Sequence, residues 1–156
     1  DHLVLMEEGR IRAAGPVAAM LTRLDLPLAH GDDAEAVVEA RVVGHDEEYH
    51  LTELEFPGGR IAVSREALPL GHRVRLRFLA RDVSLTLERQ TGTSILNILP
   101  VVVTAVAEET SSQMMVRLDA EGVPLLARVT RKSAETLSLA PGRQVFAQIK
   151  SVALVG

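Results

Sequence analysis

Three short segments of this chain gather hydrogen-bond donors without gathering acid. Thr93-Ser94-Ile95-Leu96-Asn97-Ile98-Leu99 sets two hydroxyls and a carboxamide in an uncharged run that leads into a strand pattern. Hydroxyls and free backbone N–H groups at such a place, including those of Ser94, Ile95 and Asn97, can donate to an anion without adding fixed charge. Thr130 to Ser133 adds donors just ahead of a short helical pattern, whose amino end favours negative charge. Lys150-Ser151 puts one ammonium and one hydroxyl at the carboxyl end of the apolar strand pattern Val145 to Ile149. Each segment also has a plainer reading: Ser94 and Asn97 cap a turn, and a lone lysine at a strand end is solvated.

Other candidates carry less. His45-Asp46-Glu47-Glu48-Tyr49-His50 is dense in groups able to bind a metal, but a solvated acidic turn between two strands accounts for it, and no matching ligands occur elsewhere. Arg73, Arg75 and Arg77 alternate with Val74, Leu76 and Phe78, which lines three guanidinium groups along one face of a strand. Such a stripe is the wet side of a barrel strand, with Glu53 or Glu55 as cross-strand partners. The chain has no Gly-x-x-x-x-Gly-Lys-Ser/Thr phosphate loop and no nucleophile elbow. With zero cysteines it also offers no thiolate nucleophile, disulfide framework or zinc ribbon. No enzymatic activity is expected of it.

The elements that position these groups must fit in 156 residues, enough for one ordinary domain or two small ones. At 47% apolar and 24% charged residues the composition is that of a folded globule. Aromatic residues make up 3%, with Tyr49 the single tyrosine and no tryptophan, so the stacking surface used by single-strand binders is missing. A net charge of -4 likewise argues against nucleic acid as a partner. The longest uncharged stretch, Gln90 to Ala107, holds too many polar residues and a proline to insert in a membrane. The opening Asp1-His2-Leu3-Val4-Leu5-Met6 has no basic lead and no initiator Met, and reads as a chain entered part-way along a longer protein.

Leu3 to Met6 and Arg10 to Ala14 read as a hairpin turning at Glu7-Glu8-Gly9. Gly15-Pro16 then opens a helix with Val17, Met20, Leu21 and Leu24 on one face, and Leu26 to Asp33 reads as a linker. From Ala36 onward short period-two strands alternate with turn chemistry: Val37 to Val43, Tyr49 to Phe56, Arg60 to Ser64, and Arg73 to Leu79 running on toward Leu87. A second set follows: Ile98 to Val106, Met114 to Asp119, Pro124 to Val129, Gln144 to Ile149 and Val152 to Val155. It has a turn at Asp119-Ala120-Glu121-Gly122 and a short helix over Ser133 to Leu139. Leu68-Pro69-Leu70-Gly71-His72-Arg73-Val74 parallels Leu139-Ala140-Pro141-Gly142-Arg143-Gln144-Val145, and Arg81-Asp82-Val83-Ser84-Leu85 parallels Lys150-Ser151-Val152-Ala153-Leu154. The expectation is an all-β fold of two OB-like small β-barrel modules with short helices, preceded by a short hairpin and helix. The predicted domains are 1–32, 33–92 and 93–156. Basic against acidic residues number 3 to 5, 8 to 11 and 6 to 5 in that order, so only the last is cationic.

Together, Thr93 to Leu99, Ala127-Arg128-Val129-Thr130-Arg131-Lys132-Ser133-Ala134-Glu135 and Ala147-Gln148-Ile149-Lys150-Ser151-Val152 resemble the Mop, or molybdate-binding, domain. In this order they look most like the carboxyl-terminal regulatory (TOBE/Mop) region of the ATP-binding subunit of molybdate ABC importers. Residues 35–92 resemble the accompanying TOBE-type segment through Ala80-Arg81-Asp82-Val83-Ser84-Leu85, and residues 1–24 resemble the end of a nucleotide-binding domain. The resemblance implies an oxyanion site for molybdate or tungstate between subunits, at Ser94 with Ile95 and Asn97 after it, at Ser133, and at Lys150 with Ser151. It also implies a homodimer, and a parent whose absent domain binds ATP and contacts transmembrane permease subunits at the cytoplasmic face of the membrane. The resemblance further implies that the region there senses intracellular molybdate and inhibits transport. Where many Mop domains carry an Arg two residues after the Ser, this chain has Leu96, which removes a bidentate cationic donor. Two alternatives stand beside this: a purely structural dimerisation module with a decayed oxyanion site, and the regulatory domain of another importer.

Overall fold

Side chains of β3 (Glu35–Asp46) alternate strictly over its first eight residues: Ala36, Val38, Ala40 and Val42 are buried while Glu39 and Arg41 are exposed. That period of two directs one face into a core and the other to water. The same pattern organises β4 (Leu51–Phe56), β5 (Gly59–Ser64) and β6 (Arg73–Leu79). It recurs in β8 (Asn97–Glu108) and, beyond Met115, in β9 (Gln113–Ala120), whereas β10 (Val123–Thr130) buries Leu125, Leu126 and Ala127 in a row and β11 (Gln144–Ile149) buries Ala147, Gln148 and Ile149 in a row. The computed structural model describes residues 2–7, 9–31 and 34–155, so Glu8 of the predicted first turn and Asp32 and Asp33 of the predicted linker lie outside the described residues.

The fold is nearly all β, as the sequence predicts. Two curled five-stranded sheets, every pairing antiparallel, run in the orders β12-β6-β3-β4-β5 and β10-β9-β8-β11-β7. β7 (Val83–Thr86) and β12 (Ala153–Val155) are the short members. The two modules read from the sequence exchange these last strands: β7 joins β11 in the second sheet, and β12 joins β6 in the first. The strand expected to run from Arg73 toward Leu87 is therefore broken at Leu79 by a 3-10 turn, Ala80–Asp82, that carries the chain from one sheet to the other.

The internal duplication extends to individual hydrogen bonds. Gly71 N–H donates to the Val42 carbonyl and Val42 N–H to the His72 carbonyl; Gly142 N–H donates to Val103 and Val103 N–H to Arg143 in the same way. Both glycines have positive φ, 85° and 94°, a conformation that disfavours any side chain. A bulge follows at equivalent points, between Val42 and Gly44 and between Val103 and Ala105. One core spans both sheets, with Leu54, Leu76, Phe78, Leu118, Leu125 and Ile149 fully buried. At the tip of the β4–β5 hairpin, a Cβ on Gly58 would lie 2.5 Å from the Phe56 ring and 2.8 Å from the Ala120 Cβ, so the first sheet's hairpin seats directly on the second.

The amino-terminal hairpin pairs β1 (His2–Glu7) with β2 (Arg10–Pro16), and Pro16 caps α1 (Val17–Thr22), whose Met20 is buried. The segment expected to be a linker is packed. Leu26 and Ala29 are buried around a 3-10 turn at Pro27–Ala29, and Ala29 clusters with Ala34, Ala80, Met115 and Leu126. The second helix, α2 (Arg131–Thr136), begins two residues before the predicted Ser133 because Thr130 supplies its cap.

Candidate functional site

Where the strand exchange brings both sheets together, a cleft of about 610 Å³ opens between β5, the segment entering β8, and the segment leaving β11. Its polar side chains are those of Ser64, Thr93, Ser94, Asn97, Lys150 and Ser151, and no described residue lining it is acidic. Ser94, Lys150 and Ser151 are exposed, and the Lys150 ammonium has no carboxylate within ion-pairing distance among the described residues. The lysine is fixed through its backbone, whose N–H donates to the Asp82 carbonyl at 2.9 Å. The cleft presents one cation and four hydroxyls, a donor-rich surface facing water.

Five of the six predicted site residues therefore converge: Ser94, Ile95, Asn97, Lys150 and Ser151. Two are already engaged within the chain. Ile95 N–H donates to the Thr93 hydroxyl at 3.2 Å, closing a tight turn. Asn97, 8% exposed, accepts from Ala62 N–H at 2.7 Å and donates to the Ala62 carbonyl at 3.0 Å. Its carboxamide acts as a short piece of strand that covers the outer edge of β5 and ties the start of β8 to it. Ser133 lies elsewhere: exposed on α2, its N–H donates to the Thr130 hydroxyl, and the Thr130 hydroxyl donates to its Oγ. Within one chain Ser133 is part of a helix cap.

Ser64 went unmarked in the sequence because it closes a strand whose alternation explains it fully. Only the three-dimensional approach of β5 to residues 93–97 brings it in. Ala62 turns its N–H and carbonyl toward Asn97, away from β4, and Ser64, two residues on, turns its own the same way. Leu96, at the mouth of the cleft, is 67% exposed.

The remaining candidates are structural. His45 bonds through Nδ1 to the Thr52 hydroxyl and through Nε2 to the Leu68 carbonyl, and Asp46 Oδ1 accepts from Glu48 and Tyr49 N–H groups to make the turn. Arg75 and Arg77 pair with Glu39 and Glu35 of β3, whereas Glu53 and Glu55 pair with Arg60. The partners differ from those expected because β6 lies beside β3 and not beside β4.

One buried polar network was not foreseen. Glu109, with a side chain only 9% exposed, accepts from Arg128 Nε at 2.9 Å and Gly31 N–H at 3.2 Å, and bonds His30 Nδ1 at 3.1 Å. Burial pushes the Glu109 carboxyl up, but Arg128, the Gly31 N–H and His30 outweigh it and hold the carboxyl below its ordinary range.

Two sheets duplicated and curled in this way around one core make an OB-like fold, and residues 93–155 match the TOBE domain family. The whole chain corresponds, at about one identical residue in two, to the carboxyl-terminal region of molybdenum import ATP-binding proteins. It is 54% identical over 156 residues to ModC of Albidiferax ferrireducens, 50% identical over 157 to ModC 1 of Azotobacter vinelandii, and 51% identical over 155 to ModC of Aromatoleum aromaticum. These alignments take in 99–100% of this chain but 41–44% of the relatives, so the chain spans well under half their length. In fold it is similar to the cytoplasmic molybdate-binding protein ModG, solved with molybdate bound: the TM-score is 0.65 at 24% identity, covering 76% of this chain and 93% of that one. No helix among the described residues is long and apolar enough to cross a membrane.

Proposed function

We propose that this chain is the oxyanion-binding regulatory region of a molybdate ABC import ATPase, taking molybdate or tungstate in the cleft around Lys150. The observation that carries this reading is the lining of that cleft, with Lys150, Ser64, Thr93, Ser94 and Ser151 as donors and no carboxylate among the described residues. A tetrahedral dianion offers acceptor oxygens and, at neutral pH, no proton, so a surface made of donors suits it. Sulfate differs from molybdate here only in size.

One ammonium is too little charge for a tightly held dianion, and the cleft is wider than one tetrahedral anion requires. A second copy of the chain would double the donors and bring Ser133 to the site from its exposed helix cap, which is the reason to propose a homodimer. In the parent, 1–32 would close the ATP-binding domain, 33–92 and 93–156 would form the TOBE-type and Mop modules, and permease subunits would be the membrane partners at the cytoplasmic face. Transport inhibition follows if the anion binds two transporter states with different affinity. ATP would bind only in the absent domain.

Calorimetric titration of the purified chain with molybdate, tungstate and sulfate tests the proposal. Heat with the first two that Lys150→Ala removes is the expected result; no heat, or a Lys150→Ala variant that titrates like the parent chain, overturns it. The exposed Leu96 at the cleft mouth supports a second reading, a structural dimerisation module whose anion site has decayed. That reading requires a dimer whose melting temperature saturating molybdate does not raise.

A further inference from the structure

The duplication of the two sheets implies two equivalent clefts, and only one is open. Across the first sheet Leu51 faces Ser64 and Ala36 faces Phe78; across the second, Met115 faces Arg128 and Asn97 faces Ile149. Matching these registers makes Met115, Leu126, Arg128 and Ala34 the counterparts of Leu51, Ala62, Ser64 and Ile95, all of which line the Lys150 cleft. Met115, Leu126 and Ala34 are buried, and what buries them is the segment ahead of β3: Ala29 sits among them, with Leu24 packed alongside. The counterpart cleft is thus filled by the chain's own residues 24–31.

That segment is fastened at its far end. His30 Nε2 bonds the Leu24 carbonyl at 2.8 Å, which closes the segment on itself, while Nδ1 reaches Glu109. Glu109 also holds Gly31 N–H, and Arg128, itself paired with Glu109, donates to the Gly31 carbonyl. Glu109 and its partner Arg128 therefore grip the segment and the wall of its cleft together.

A path of main-chain bonds leads from there to the open cleft. The Ala34 carbonyl, just past the fastened segment, accepts from Ala80 N–H at 2.9 Å. Ala80 begins the 3-10 turn whose last residue, Asp82, accepts from Lys150 N–H. The turn is three residues long and bonded at both ends, so it moves as one piece.

We propose that residues 24–31 are a latch, seated in the duplicate of the anion cleft and gripped by Glu109, and that its seating fixes the Ala80–Asp82 turn and through it the position of Lys150. What Lys150 then binds rests on the function proposed above; the latch itself does not. A shift of the hairpin and α1, which lead directly into the segment, would reach the cleft by this route.

Residue-resolved amide hydrogen exchange on the whole chain, without oxyanion, is the test. Glu109→Ala should speed exchange at the Ala80 and Lys150 amides by about ten- to a hundredfold, Glu109→Gln by less, and the Val42 and Val103 amides should keep their protection. Unchanged exchange at Ala80 overturns the latch, and a change at Ala80 that leaves Lys150 untouched overturns the link. If Glu109→Ala unfolds the chain, Glu109→Gln, which keeps shape and loses charge, carries the same comparison. Should the amides respond while the parent chain binds no molybdate, the latch stands and the anion reading falls; the reverse pattern separates them the other way.

Discussion

Replacing Asn97 with alanine isolates what its carboxamide does for the first sheet. The side chain makes two bonds to one residue, accepting from Ala62 N–H and donating to the Ala62 carbonyl. Its removal strips both partners from an edge strand beside a cleft. Each bond lost is worth about 0.5–1.5 kcal/mol net, so the variant should lose about 1–3 kcal/mol, the lower figure holding if water from the cleft replaces the carboxamide. For a chain of this size about 1 kcal/mol corresponds to roughly 2–4 °C, so a fall of about 4–8 °C in melting temperature is the central expectation. Thermal unfolding followed by circular dichroism reads this, and exchange at the Ala62 amide shows whether the loss is local. Asn97→Asp gives an internal check, because it keeps the acceptor for Ala62 N–H but turns a carboxylate oxygen toward the Ala62 carbonyl. It should be no more stable than the alanine variant. Asn97→Ala melting within about 1 °C of the parent, with Ala62 still protected, would refute the clamp.

Other expectations are simpler to state. Gly58→Ala should destabilise by about 1–3 kcal/mol in urea unfolding, since the new methyl group would meet the Phe56 ring and Ala120 at contacts no Cβ tolerates. Leu118→Ala or Leu125→Ala, each removing a fully buried side chain between the sheets, should cost about 2–5 kcal/mol. The Glu109 carboxyl is held below its ordinary range, so its contribution is complete above the unfolded value near 4.5 and is lost as pH falls through the lower folded value. Urea unfolding between pH 6 and pH 3 should accordingly show a shallower acid-side decline for Glu109→Gln than for the parent chain. Leu96→Arg adds a guanidinium at the cleft mouth and should tighten molybdate about tenfold by calorimetry; no gain would indicate that the position faces away from the anion.

The strands and their duplication were legible because a half-buried strand writes its burial into every second residue, as Val38, Ala40 and Val42 do. The glycines of the two matched turns were legible for a related reason, since each sits at a positive φ that the sequence marks directly. The exchange of β7 and β12 was not. Four residues such as Val83 to Thr86 alternate the same way whichever sheet receives them, and the receiving edge is decided by shape at long range. The segment at 26–33 misled for another reason: Pro27 and Gly31 signal a turn correctly, yet a turn can be packed, and Leu26 and Ala29 are. At the candidate site, residue type pointed to Ser94, Lys150 and Ser151, which do share a cleft. Type alone could not tell a donor still available from one already spent, which is where Asn97 and Ile95 differ from them.

The crossing of β7 and β12 bears on how this chain comes to be folded. During synthesis the first sheet can assemble from β3 to β6 early, but the β6 edge where Arg75 pairs with Val155 stays bare until β12 has emerged. Meanwhile β7 has already left for a sheet not yet made. Neither half can reach its finished form ahead of the other, so separating them at a point between β7 and β8 should give two pieces that remain soluble only when present together.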